Sequence, residues 1–259
     1  MSPQPALKTQ TLFDEINTLT DNPQLINEFR LAQLKKQVNH VAEPIPHHMA
    51  RGTIASLEFD IDQVHSQFKT ALEASEHSPH VLQSYVIALV NMYFFFEANK
   101  LLLQHYQRWP DDLGLLGDTI ELCAVTGQVL QGEALLTRWH QLTQSIHPFE
   151  TTIQHWAEFY RQHGLTETEI QPYLETALSL LRHSQRQHHQ HNTIECDYID
   201  FDTDPYLAYT IYIDLPETEL HRLAQQHHEL LTQGQFRAEL LAGIVISFEP
   251  FPLEDYVDD

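Results

Sequence analysis

Apolar positions recur with helical spacing from about residue 47 to residue 184. Ile61, Val64, Phe68 and Ala71 form one stripe. The same four places return 34 residues later as Phe95, Ala98, Leu102 and His105, and 34 later again as Val129, Gly132, Leu136 and Trp139. A fixed, gapless period of that length predicts stacked helix–turn–helix units, because one hairpin cannot bury its apolar face alone. Such stacks usually present binding surfaces rather than active sites. Pro79 and Pro110 punctuate the first two units, and Pro148 follows the third. A fourth unit fits once four residues are inserted: Ile170, Leu174 and Ala177 lie 38 after Gly132, Leu136 and Trp139. Gly127 and Gly164 mark the turns inside the third and fourth units.

The flanks read differently. Thr11–Leu19 is a short helical candidate. Asp21 and Asn22 before Pro23 form an N-cap signal. The helix it opens runs to about Val41, with Leu25, Ile26, Phe29, Leu31, Leu34 and Val38 as its stripe. Glu43-Pro-Ile-Pro46 ends it, since proline cannot continue a helix. Beyond residue 183 a polar, histidine-rich stretch reaches Asn192, and the period then changes to two. Ile194, Cys196 and Tyr198 alternate with polar neighbours, as do Leu207, Tyr209, Ile211, Ile213 and Leu215; both segments read as strands. Pro216 opens a helix with Glu217 and Glu219 in its first turn and an apolar stripe from Leu220 to Leu231; Gly234 stops it. Leu240–Phe248 is nearly all apolar and reads as a buried central strand. The expected segments are a helical cap, 1–46; helical repeats, 47–184; and a small acidic α/β domain, 185–259. The Tyr206 and Tyr212 face of the sheet is expected to pack on the repeats or on a second copy.

The repeat segment resembles the tetratricopeptide-repeat family. That family favours a small residue early in the second helix, which Ala98 and Gly132 supply while Val64 and Ile170 are larger. Phe68, Leu102, Leu136 and Leu174 supply its large apolar position. Ala71 and Ala177 fit the next small position; His105 and Trp139 do not. Gly52 matches its small residue in the first helix, where later units carry Val86 and Ile120. The resemblance implies a mainly α fold, a tetratricopeptide-like α-α superhelix, followed here by the β-β-α-β segment. It also implies a groove lined by first helices, which points to Gln83, Ile87, Asn91, Glu121, His155 and Phe159. The family's well-known carboxylate-binding groove uses lysines, arginines and asparagines. Here only Arg161 stands near the end of those helices, so an apolar or basic segment is the expected ligand.

Composition narrows the partner. The chain has 36 acidic and 14 basic residues, a formal charge of −22. That balance disfavours direct contact with nucleic acid or anionic membranes and favours basic proteins. Residues 185–259 hold 15 acidic against 3 basic residues, so the smaller segment carries over half the net charge. Cys123 and Cys196 form no C-x-x-C, and neither a disulfide framework nor a zinc site is expected. The N-terminal residues lack an apolar signal core, and apolar runs such as Leu240–Ile246 are too short to span a bilayer. A soluble, cytoplasmic protein is expected.

Candidate chemistry is thin. Asp197, Asp200, Asp202 and Asp204 cluster, and Asp200-x-Asp202-x-Asp204 has the spacing that opens a calcium loop. Pro205 stands where the loop needs glycine, and Ile211 where it needs glutamate. An acidic surface for a basic partner is the better reading. His188, His189 and His191 form a histidine-rich run without a zinc motif, and His221 and His228 stand two turns apart, too far for one metal. No nucleophile elbow or phosphate-cradling glycine loop occurs. No cofactor, metal or catalytic residue is assigned. The sequence reads as a non-enzymatic adaptor or scaffold that binds a peptide or basic protein in a helical-repeat groove, with a homodimer through the C-terminal sheet as a further option. One alternative is an inhibitor or immunity-type protein that neutralises a basic partner. The other is a metal-dependent enzyme using the Asp197–Asp204 cluster.

Overall fold

The computed structural model describes residues 5–185, 192–200 and 205–251. Among them the chain is mainly helical, with twelve α-helices, and ends in a small three-stranded mixed sheet with its own helices. No described helix is long and apolar enough to cross a membrane. The described residues form two compact units. One reaches to Leu102 and includes Gln185; the other takes Leu103–Ser184 and the described residues from Asn192 onward. The units part at Leu102, whereas the segments 1–46, 47–184 and 185–259 were divided by composition and period.

The first unit begins with α1 (Pro5–Asp21), α2 (Glu28–Val38) and α3 (Pro44–Leu57). Leu12, Ile16 and Leu19 of α1 and Leu34 and Val38 of α2 bury against Ala50, Ile54 and Leu57 of α3. Two boundaries differ from the sequence reading. Pro23 opens only a 3-10 turn, and α2 starts at Glu28 because the Asn27 side chain accepts the Arg30 N–H. Phe29 therefore faces solvent, 79% exposed, instead of joining the core stripe. Pro44 opens α3 rather than ending a helix, since a missing N–H costs nothing in a first turn.

Hairpins follow in consecutive packed pairs. First helices are α3, α5 (Pro79–Val90), α7 (Leu113–Val125) and α9 (Glu150–His163); second helices are α4 (Ile61–Ala74), α6 (Phe95–Tyr106), α8 (Val129–Thr143) and α10 (Glu167–Gln185). Helices α4, α6 and α8 start at Ile61, Phe95 and Val129, each 34 positions after the last. The turns repeat in backbone detail. Phe59, Tyr93, Gly127 and Gly164 all have left-handed φ, at 55°, 62°, 67° and 59°. The next N–H reaches back five residues each time: Asp60 to Ala55 O, Phe94 to Leu89 O, Gln128 to Cys123 O and Leu165 to Tyr160 O, at 2.8–3.0 Å. This is the Schellman cap, which satisfies carbonyls left open at a helix end. Gly164 lies 37 after Gly127 and α10 starts 38 after α8. Three of the four inserted residues thus precede the last turn and one follows it.

The repeat positions sit where packing needs them. Val64, Phe68, Ala71, Ala98, Leu102, Ile170, Leu174 and Ala177 are wholly buried. Gly52 lets the Phe68 ring lie against its helix; a Cβ there would come within 2.6 Å of the ring. Asp60 and Asp112 cap α4 and α7 through the N–H groups of Gln63 and Leu115. Helix α8 has no such cap of its own. Glu167 of α10 supplies it, its carboxylate accepting the Leu130 and Gln131 N–H groups at 2.8 and 3.1 Å.

In the second unit β1 (Asn192–Ile199) pairs antiparallel with β2 (Tyr206–Ile213), and β2 pairs parallel with β3 (Ile244–Pro250). Helices α11 (Glu217–Gln233) and α12 (Ala238–Gly243) connect β2 to β3. The apolar run Leu240–Phe248 is therefore not one central strand. Its first residues coil into α12, β3 lies at an edge, and β2 takes the centre. The face that carries Leu207, Tyr209, Ile211 and Ile213 is buried, each residue at most 1% exposed.

Gly127 and Gly164 share a repeat position but not surroundings. A Cβ on Gly127 would meet Ile170 at 2.8 Å and Tyr160 at 3.0 Å, whereas one on Gly164 would meet nothing within 4 Å. Gly164→Ala should cost only the left-handed strain, about 1–2 kcal/mol. Gly127→Ala should cost about 1–3 kcal/mol more through overpacking. Urea unfolding of the two variants checks the difference.

Candidate protein-binding surfaces

The six groove candidates lie on first helices but in unlike settings. Gln83, Ile87 and Asn91 follow one another at four-residue spacing along α5 and its C-cap. Ile87 is 55% exposed, Asn91 is exposed and Gln83 is half-buried. Thr53, half-buried on α3, holds the position 34 residues before Ile87, and α3 and α5 pack together. Glu121 stands exposed on α7, where partial desolvation of its carboxyl and then the like charge of Asp118 hold its pKa above the ordinary range. His155 and Phe159 stand on α9. Phe159 is buried and closes on Gly243, with His163 stacked on its other side at 4.1 Å between centroids. The His155 ring packs 5.0 Å from that of Tyr198 on β1.

The chain's own sheet thus occupies the first-helix face of α7 and α9. The Tyr209 hydroxyl donates to Val125 O at 3.0 Å, and the Cys196 thiol lies 3.9 Å from Ala124 O. The Trp156 indole N–H donates to Asp197 O at 3.2 Å. Tyr173 of α10 donates to Ile244 O at 2.8 Å. Tyr160 donates to Gly127 O at 3.2 Å. The logic is local. Val125 O and Gly127 O sit at the end of α7, where carbonyls lack partners along the helix, and phenols supply them. Burial raises the Tyr160 and Tyr209 pKa values well above 10, so both remain donors. The helices therefore pack on the Leu207–Ile213 face, opposite to the Tyr206 and Tyr212 face expected to meet them. A C-terminal sheet was legible in the sequence; these links were not, because single bonds to main-chain carbonyls leave no spacing to read.

Asp197 and Asp200 are exposed at the end of β1. Asp202 and Asp204 lie outside the described residues, as do His188, His189, His191 and the acidic end from Glu254. Among the described residues no group of three His, Cys, Asp or Glu side chains is placed to hold a metal ion.

Sequence reasoning also passed over a part-buried relay in the first unit. His65 of α4 meets the Tyr85 hydroxyl of α5 through Nδ1 at 2.5 Å and Glu97 of α6 through Nε2 at 3.3 Å. Burial, and then Glu97, pushes the Tyr85 pKa up to about 12. The phenol therefore donates to Nδ1, and Nε2–H is left for Glu97. The relay ties three consecutive helices. Comparison of the chain with protein-family models, curated proteins and solved structures gives no match.

His227 of α11 is buried, 5% exposed. Thr176 of α10 donates its hydroxyl to Tyr173 O at 2.6 Å, so its oxygen accepts from His227 Nε2 at 3.0 Å. The ring packs edge-on against Phe248 of β3. Burial, and then the charge of His228, lowers its pKa to about 4. The unfolded chain takes up this proton near pH 6.5, the folded chain only near 4. The contribution is complete above pH 6.5 and is lost as pH falls between these values. Between pH 7.5 and 5 it should amount to about 2 kcal/mol. Denaturant unfolding at both pH values should show the wild type losing that much more stability than His227→Leu.

Proposed function

We propose that the chain is a non-enzymatic, cytoplasmic protein-interaction adaptor. In this reading its helical hairpins are of the tetratricopeptide type and hold a partner segment against a first-helix face. The observation that carries the proposal is the row Gln83, Ile87 and Asn91 on α5, with a large apolar side chain 55% exposed at its centre. Thr53 extends the row onto α3. The α7 and α9 faces of the second unit already hold the sheet, so Phe159 drops out of the partner surface, and His155 is engaged by Tyr198. The partner surface contracts to α3 and α5, and an isoleucine flanked by neutral amides suits an apolar segment with polar edges.

The test is a pull-down of the tagged full chain, washed at low and at high salt. A partner bound by wild type should survive high salt and be lost from Ile87→Glu. Phe29→Glu, which adds the same charge at an exposed apolar site on α2, should keep it. An identical set of bound proteins for wild type and Ile87→Glu would overturn the proposal.

A further inference from the structure

The second face of the sheet is the least explained surface of the molecule. The register places three cross-strand rows on it: Thr193, Tyr212 and Glu249; Glu195, Thr210 and Ser247; Asp197, Ala208 and Val245. Residues directly opposite one another share a face, so these side chains form one continuous surface. The side chains through which the sheet meets α7, α9 and α11 are Cys196, Tyr198, Tyr209 and Phe248, and all lie on the inner face. Glu195, Asp197, Val245 and Glu249 are exposed, and Tyr206, Thr210, Tyr212 and Ser247 half-buried.

The electrostatics of this face differ from those of the rest of its unit. None of the three strands contains a lysine or arginine. Five of the six described arginines of the unit are spent elsewhere: Arg138 pairs with Asp111, Arg161 with Glu133, Arg182 with Glu175, Arg222 with Glu219, and Arg237 with Glu169. Glu195, Asp197 and Glu249 are in none of the ion pairs among the described residues. Their combined field reaches one phenol. The Tyr212 pKa is raised by partial desolvation, then by Glu195, which also accepts its hydrogen bond, and by Asp197 and Glu249.

We propose that this face docks an arginine-rich segment of a partner protein. A guanidinium lies on the Tyr212 ring, and the carboxylates of Glu195 and Glu249 accept its N–H groups. A flat cation suits a surface that offers an aromatic face and carboxylates together, and it gives up hydration more readily than an ammonium. Thr210 and Ser247 add hydroxyls at the centre, and Val245 an apolar edge. A phosphate backbone is repelled by the same charges. A second copy would set like charges against like. The inference is independent of the α5 surface, which lies in the other unit and offers no charge.

The experiment titrates the full-length chain with a fluorescent oligo-arginine peptide. The triple variant Glu195→Gln, Asp197→Asn, Glu249→Gln is compared with Glu43→Gln, Asp62→Asn, Glu73→Gln, which removes the same charge from exposed sites in the first unit. The sheet-face triple should weaken binding about tenfold and the control about twofold or less. Tyr212→Ala should weaken it about threefold, and Tyr212→Phe should restore most of that. Amide signals of Thr210, Tyr212 and Ser247 should move on titration of the wild type, a readout that needs no variant. Equal weakening by both triples, or shifts confined to other residues, would overturn the proposal. So would a wild-type chain that self-associates while the sheet-face triple stays monomeric, which would assign the face to a second copy.

Discussion

The left-handed residue that ends each first helix is the constraint on which the hairpins depend. It reverses the chain within two or three residues and sends the next N–H back to a carbonyl five residues earlier. Glycine meets that demand at Gly127 and Gly164 without strain. Phe59 and Tyr93 meet it with a Cβ, at a cost of about 1–2 kcal/mol each. At Tyr93 the compensation is visible: its ring is 1% exposed and packs 6.0 Å from Phe95. A substitution to glycine there would relieve the backbone but empty a core position, so the strained residue is kept by its side chain.

The same turn prepares the second unit for its sheet. The cap that closes α7 satisfies Cys123 O and Ala124 O but leaves Val125 O and Gly127 O to find donors. Two buried tyrosines, Tyr209 and Tyr160, are those donors. Both phenols are wholly buried and would themselves be costly without acceptors. Each need therefore answers the other: Tyr160 ties α9 to the end of α7, and Tyr209 fixes the inner face of the sheet there by a bond that a sliding peptide could not share. This is why the α7 and α9 surfaces behave as core.

Much of the helical architecture was legible because close packing imposes residue volume at a fixed interval. Positions such as Phe68, Leu102, Leu136 and Leu174 must be large wherever a second helix crosses its partner, so the period survives in the sequence. The boundaries that were misread share one cause. Pro23 and Pro44 each carry a proline signal, but one starts a 3-10 turn and the other a helix. Their difference lies in the Asn27 cap, a single hydrogen bond. Leu240–Phe248 was misread because a short apolar run has no period by which to separate a helix turn from a strand. The face on which the sheet would meet helices was equally hidden: Tyr206 and Tyr209 are alike in composition, and only parity along β2 separates them.

Charge placement follows from the same economy of residues. With 14 cations against 36 carboxylates, most acidic groups in this chain must do without a counter-ion. Two arginines serve junctions between elements: Arg237 bridges from the start of α12 to Gly164 O and Glu169, and Arg161 joins α9 to Glu133 of α8. Those pairs sit at the surface, where each contributes well under the value of one buried contact. Their main effect is to hold orientation. On the strands none of the carboxylates is neutralised by an ion pair among the described residues: alternation turns every second residue of β1 outward, and a carboxylate there cannot fold back onto its own element as it can on a helix. The acidity of the open sheet face is thus a consequence of β geometry acting on a cation-poor sequence, and a partner's cations would complete what the chain itself leaves unpaired.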